Sequence, residues 1–421
     1  MPQHAECERP LVPGCLNAMS AAMISTLSSP AWPAHRLRPE AALWLVVSVL
    51  MMFLAASSAP SPLYALYREM WGFSALSLTV IFSSYAFALL GALLCFGALS
   101  DHVGRRSVVV ASLALEFVSI LAFWRADSVG WLVAARLLQG LATGMATSAL
   151  SALLVDLHPV RGPLMNALAP MTGMAVGALG TSLLVQYLPA PTHLVFELLL
   201  VVIALQCAAA FWLPETVARR AGAWRSLVPS MHVPQAARVP MLRILPLSTA
   251  GWALGGFYLS LGPSLGRLVT HSASPLVGGL LISALVLPGA LAIAMSRHHS
   301  PRSVLQGSAV ALAVGLAITL TGVAAHSTAG FFCGTLVAGL GFGAGFSASV
   351  RSLVPLASAQ DRAGLMASFF VLSYLAFSLP AIAAGVLTGL YGLQPTAMGY
   401  GLLLIALAST AAFTARAVPT R

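Results

Sequence analysis

Twelve stretches of roughly 20 apolar residues follow one another along this chain, and nothing else in the sequence limits its fold as strongly. They run approximately from 41 to 60, 75 to 99, 107 to 125, 130 to 155, 164 to 187 and 193 to 213, then from 243 to 265, 275 to 295, 303 to 325, 329 to 350, 364 to 388 and 396 to 415. A helix rises 1.5 Å per residue, so each stretch is long enough to cross a hydrocarbon core of about 30 Å. Barrel strands are half that length and alternate in polarity, which these stretches do not. The expected fold is an all-α membrane protein with twelve transmembrane helices in two six-helix bundles. Only 8% of the residues are charged, against about 25% in soluble proteins, so most of the surface is not built to face water.

The arginines set the expected orientation. The chain has no lysine, so all 21 basic residues are arginine. With the N-terminus inside, the cytoplasmic side receives 17 of them: Arg9, Arg36, Arg38, Arg105, Arg106, Arg161, Arg219, Arg220, Arg225, Arg238, Arg243, Arg297, Arg302, Arg351, Arg362, Arg416 and Arg421. The outer side receives Arg68, Arg125 and Arg267, and Arg136 falls within a span. This asymmetry places both termini in the cytoplasm and fits a bacterial inner membrane. The net charge of +10 does not indicate nucleic-acid binding, because the arginines are scattered between apolar runs and form no continuous basic face. Cys7, Cys15, Cys95, Cys207 and Cys333 show no metal or disulfide spacing.

The expected domains are a cytoplasmic tail over 1–40, an N-terminal six-helix bundle over 41–213, a cytoplasmic linker over 214–242, a C-terminal bundle over 243–415 and a tail over 416–421. The first 40 residues lack a basic start leading into an apolar run and a cleavage site, so no removable signal peptide is expected. A weak internal repeat supports a duplication. Ser100, His102, Arg106, Ser107 and Val108 recur as Ser296, His298, Arg302, Ser303 and Val304, and paired halves are common among secondary transporters.

The string GALSDHVGRRS between the second and third spans carries Gly97, Asp101, Gly104, Arg105 and Arg106. The chain must turn here within about eight residues. Glycines allow the turn, while an acid and two arginines can hold neighbouring helix ends. This string resembles the loop signature of the major facilitator superfamily, with His102 in place of the usual first basic residue. Arg136-Leu-Leu-Gln139-Gly140 in the fourth span is similar to an Arg-x-x-Gln-Gly pattern of that family. Asp156, with His158-Pro159 and Arg161, resembles the acidic end of its fourth helix, and Leu213-Pro214-Glu215-Thr216 its Pro-Glu-Thr stretch. The resemblance implies two bundles rocking about a central cavity, with Gly97, Asp101, Gly104, Arg105, Arg106 and Asp156 forming a conformational latch of the outward-facing state. The second copy of the loop has Arg297 and Pro301 where Asp101 and Arg105 stand, so it is degenerate.

Two ionisable residues fall inside spans. Arg136 lies roughly 9 Å from the outer face and Glu116 near 14 Å from the cytoplasmic one, an axial offset of about 7 Å. Arg136 either faces a cavity or snorkels to the interface. Glu116 is either a proton carrier or a hydrogen-bonded packing residue. Together with Gln139 they are the candidates for proton coupling. Gly173, Gly177 and Gly180, and the series Gly339, Gly341, Gly343 and Gly345, have the spacing of closely packed helices. Trp252, Phe257, Tyr258 and Tyr374 are candidates for a substrate cavity, with packing as the other reading. Glu197 and His193 suit an interface.

The expected function is secondary active transport of a small organic solute, as proton-coupled export. A proton-coupled importer and a non-transporting solute sensor remain open. A chain without lysine cannot contain a Gly-x-x-x-x-Gly-Lys phosphate loop, and no convergent set of acids and histidines suggests an enzyme. Neither cofactor nor metal is expected. The expected partners are the solute, protons and lipid, with the protein a monomer.

Overall fold

The computed structural model describes residues 36–229, 231–358 and 360–414. Most of the N-terminal tail, the tail over 416–421 and the arginines on them lie outside the described residues. The helices are α1 (Pro39–Ser58), α2 (Pro60–Trp71), α3 (Ala75–Phe96), α4 (Ser100–Val103), α5 (Arg105–Trp124), α6 (Val129–Leu157), α7 (Arg161–Tyr187) and α8 (Leu194–Ala210) in the first half. The second half contains α9 (Gln235–Ser260), α10 (Gly262–Thr270), α11 (Leu276–Ser296), α12 (Pro301–Ala324), α13 (Thr328–Leu353), α14 (Arg362–Tyr391) and α15 (Leu393–Thr414). Among the described residues there is no strand.

Ten segments are long and apolar enough to span, with α1 and α2 counted together as one. The pair α9 and α10 adds an eleventh span, bent by 68° at its break. Helix α8, at 17 residues, is the shortest; at 1.5 Å per residue it covers about 26 Å, enough for a thin or untilted crossing. The fold is therefore the expected twelve-helix one. The seventh span begins at Gln235, earlier than the expected 243, because Pro240 and Pro246 lie inside α9 without ending it. A proline in a packed membrane helix is tolerated where neighbours satisfy the freed carbonyl.

The two halves repeat one packing scheme. In the first, α3 and α5 both pack on α6, α1 packs on α7 and α5 on α8. In the second, the equivalents α11 and α12 pack on α13, α9 on α14 and α12 on α15. Between halves, α7 lies on α11 and α3 on α14. Lipid offers no hydrophobic drive between helices, so close backbone approach supplies much of the attraction. Gly177 shows it: a methyl group there would run into the carbonyl of Ala55 and the hydroxyl of Ser58 on α1, and Gly173 sits equally tight against Met51. In α13, Gly339 abuts the Leu285 backbone, Gly343 that of Gly289, and Gly341 that of Ser308. Gly180 is different, since nothing lies near it.

Candidate functional site

Three constellations lie along the molecule, and the first is the loop between α3 and α5. The Arg105 guanidinium donates to Asp101 Oδ1 at 2.5 Å, to Ser100 Oγ at 3.0 Å and, through Nε, to Asp156 Oδ2 at 3.1 Å. Thr216 Oγ1 also donates to Asp156 Oδ2, at 2.7 Å. Glu215 closes the cluster by accepting from the backbone N–H groups of Arg105 (2.7 Å) and Arg106 (3.3 Å). A carboxylate at these first N–H groups of α5 satisfies orphan donors and meets the positive end of the helix dipole. Gly104 leaves room for it. Its φ of +100° suits glycine, and a side chain there would strike the Glu215 carboxylate.

Two expectations for this loop need correction. Gly97 directly follows α3 with a right-handed backbone, φ −55° and ψ −39°, so the conformation that favours glycine falls at Gly104. The Arg106 side chain does not join the acids, and its Nη1 donates to the Phe211 carbonyl at 3.4 Å. Glu215 and Thr216 were visible in the sequence as a motif, but their partners are about 110 and 60 residues away in the chain. The second copy of the loop is held with reversed polarity: Arg351, near the end of α13, donates to the carbonyls of Ser296 (3.1 Å) and His299 (2.7 Å).

The second constellation is buried among α1, α2, α5 and α6. Arg136 and Glu116 are both fully buried, and Gln139 connects them. Arg136 Nη1 donates to Gln139 Oε1 at 2.7 Å, and Gln139 Nε2 donates to Glu116 Oε1 at 3.1 Å. The side-chain amide thus fills the axial offset expected between the two ions. Arg136 Nε also donates to the Tyr64 hydroxyl at 2.5 Å, and Nη1 to the Ser57 carbonyl at 2.8 Å. The guanidinium lies over the rings of Tyr64, Tyr85 and Phe123 at 5.4 to 5.6 Å. This burial rules out snorkelling. Arg136 Nη2 and Glu116 Oε2 have no hydrogen-bond partner among the described residues. Sequence reasoning missed Tyr64, which lies beyond the expected end of the first span and 72 positions from Arg136 in the chain.

The third is a cavity of about 240 Å³ between the halves. Trp252, Tyr258 and Tyr374 line it. Phe257 does not: it points to the other side of α9, with its ring 4.9 Å from that of Tyr400. The second half contributes aromatics, with Trp252 at 4.8 Å from Tyr374, 5.7 Å from Phe346 and 5.8 Å from Phe377. The first half contributes Ser57, Tyr85, Thr143, Thr147, Ser151 and Asn166. Tyr85 is shared, since its ring lies under the Arg136 guanidinium and also forms part of the cavity wall.

Contacts between the halves run from mid-depth to the end opposite Arg105. Ser83 Oγ donates to the Ser378 carbonyl (3.4 Å), Ser274 Oγ to Gln186 Oε1 (2.8 Å) and Arg267 Nη1 to Glu69 Oε1 (2.7 Å). Gly279 packs on Ala178 and Ser182, and Gly385 on Thr79. Ser151 and Asn166 extend the cavity towards the other end. The loop cluster is thus assembled while the halves are closed at the far end. Among the described residues its partners belong to the first half and the linker. At the end of the first half opposite Arg105, Trp124 Nε1 donates to Glu197 Oε1 (3.1 Å) and packs edge-on against His193.

The structure is similar to that of a bacterial homologue of the human lysosomal transporter Spinster, in an inward-facing and unoccupied conformation, with a TM-score of 0.70 and 13% identity over 92% of this chain and 98% of that one. It is also similar to the nucleoside transporter NupG, in a mutant form (TM-score 0.68, 13% identity, 89% and 99% coverage). The human organic anion transporter MFSD10 (TETRAN) matches with a TM-score of 0.62 and 17% identity over 89% of this chain and all of that one. At such identities the likeness shows the fold. No curated protein sequence matches the chain. The family model described as Major Facilitator Superfamily matches residues 16–347, most of the chain and both halves of the repeat. With twelve spans in two halves about a central cavity, the protein belongs to the major facilitator superfamily, a family of membrane transporters.

Proposed function

We propose that this protein is a proton-coupled exporter of a small organic solute, seated in a bacterial inner membrane with both termini in the cytoplasm. The relay of Arg136, Gln139 and Glu116 behind the cavity wall carries the reading. An arginine and a carboxyl buried in spanning helices are retained at a cost, and such groups mark ion paths by default. Ionised together, they neutralise one another through Gln139. A proton on Glu116 removes that balance and leaves the arginine charge against Tyr85, so occupancy of the carboxyl is felt at the cavity wall.

The arginine asymmetry supports the orientation, under which the closed end faces outwards and the cavity leads to the cytoplasm. Collecting solute from inside suits export. The Arg105, Asp101, Asp156 and Glu215 cluster then tethers the start of α5, the end of α6 and the linker as one body during rocking. The test is a screen of labelled organic solutes in proteoliposomes under an imposed pH gradient, with the parent and Glu116→Gln compared. Solute movement that follows the gradient in the parent and loses that dependence in the variant is expected. Movement indifferent to the gradient in the parent rejects proton coupling.

A further inference from the structure

The cavity wall contains no acidic or basic side chain among the described residues. Most of its rings come from the second half and most of its neutral polar groups from the first, set among aliphatic side chains of both. We propose that the solute is an uncharged aromatic compound bearing a neutral hydroxyl, carbonyl or amide group, seated between Trp252 and Asn166. This rests on the reading of the cavity as a transport site.

Exclusion of charge follows from desolvation. An ionised group carried into a cavity without a counter-charge loses its hydration and gains no partner. Arg136 and Glu116 stand behind Tyr85, joined to one another through Gln139, and neither lines the cavity. The aromatic face is built from Trp252, Phe346, Phe370, Tyr374 and Phe377, whose neighbouring ring centroids lie 4.8 to 6.4 Å apart. Offset and edge-on rings at this spacing suit a further planar ring.

The polar anchor is on α7. Asn166 Oδ1 accepts from Ser151 Oγ at 2.8 Å, which leaves the amino group of the amide for the remaining space. Pro170, four residues later and also in the cavity wall, has no N–H to return to the Asn166 carbonyl. One residue therefore offers a side-chain donor and a backbone acceptor to a neutral polar group, on the side of the wall that also holds Ser57, Thr143, Thr147 and Ser151. Such pairing of an apolar body with a few placed polar groups is what orients small ligands.

The experiment is equilibrium dialysis of the full chain in lipid nanodiscs, with empty nanodiscs as the blank and no pH gradient. The probes share one ring system: naphthalene, 2-naphthol, 2-naphthyltrimethylammonium and 2-naphthalenesulfonate. Expected is saturable binding of 2-naphthol, weaker binding of naphthalene and none of either ion. Trp252→Leu should weaken 2-naphthol binding about tenfold. Asn166→Leu should reduce the affinity for 2-naphthol to that for naphthalene and leave naphthalene unchanged. Should Trp252→Leu not purify as a folded protein, Phe370→Ala removes ring area on the same face with the same expectation. Equal or tighter binding of either ion, 2-naphthol binding indifferent to Asn166, or no saturable binding at all overturns the proposal. Because no gradient is applied, failure of proton coupling would leave these affinities untouched, and loss of binding would leave the coupling test standing.

Discussion

Arg267 donates from Nη1 to Glu69 Oε1 at 2.7 Å, an ion pair that joins the two halves at the end opposite Arg105. Arg267 lies on the bent segment α10 and Glu69 on the continuation α2. The pair thus joins the far ends of the first and seventh spans.

Opening that end must separate the pair. Glu69 is 66% exposed, so the contact is worth at most about 1 kcal/mol after screening. Arg267→Ala should shift the population towards the open form by up to about fivefold, and the swap of Glu69→Arg with Arg267→Glu should restore it. Spin-label distances between the start of α3 and the end of α14 measure the shift; identical distance distributions in the parent and Arg267→Ala would remove the gate role.

Arg105→Lys should impair transport while the protein still inserts, because one ammonium cannot reproduce the directed contacts to Asp101, Ser100 and Asp156. Glu215→Gln keeps the shape of the side chain but removes the charge at the start of α5, a loss of about 0.3–1 kcal/mol. It should slow transport less than Arg105→Lys. Full activity in both variants, at normal membrane levels, would show the cluster to be dispensable.

Gln139→Leu tests the relay at its centre. It leaves Glu116 Oε1 without its Gln139 donor and Arg136 without one of its acceptors, at about 1–3 kcal/mol for each orphaned group. Transport in Gln139→Leu should lose its response to a pH gradient as it does in Glu116→Gln. If only Glu116→Gln remains responsive, the coupling acid lies elsewhere and Glu116 is a packing residue.

Exchange of a neutral solute for a proton moves net charge, so a membrane potential should drive it even without a pH gradient. Each charge contributes about 2.3 kcal/mol per 100 mV. A potassium diffusion potential imposed on proteoliposomes should accelerate solute flux in the parent. Flux unaffected by the potential would mean that no proton is exchanged or that the solute carries a balancing positive charge.

The glycines of α7 separate packing from sequence pattern. Gly177→Ala should destabilise the protein by about 1–3 kcal/mol, since the Ala55 carbonyl leaves no room for a methyl group. Gly180→Ala, facing open space, should be neutral or stabilising by up to about 1 kcal/mol. Thermal unfolding in detergent distinguishes them, and equal midpoints would contradict the packing at Gly177.

Hydropathy determined the helices and their number, because a lipid core requires each crossing segment to satisfy its own backbone hydrogen bonds, and the loop residues that recur from 100–108 to 296–304 marked the duplication. Charge in a membrane is costly wherever it sits, so Arg136 and Glu116 stood out by residue type, and the local spacing of Asp101, Gly104 and Arg105 marked the loop. Their partners were not legible. Glu215 meets Arg105 across 110 positions, Tyr64 meets Arg136 across 72, and Phe257 turns away from the cavity that its neighbours Trp252 and Tyr258 line. In a helix that is apolar on every side, periodicity does not tell a lipid-facing position from one facing a cavity or another helix. The packing of α3 on α14 and α7 on α11 decides that, and with it the site.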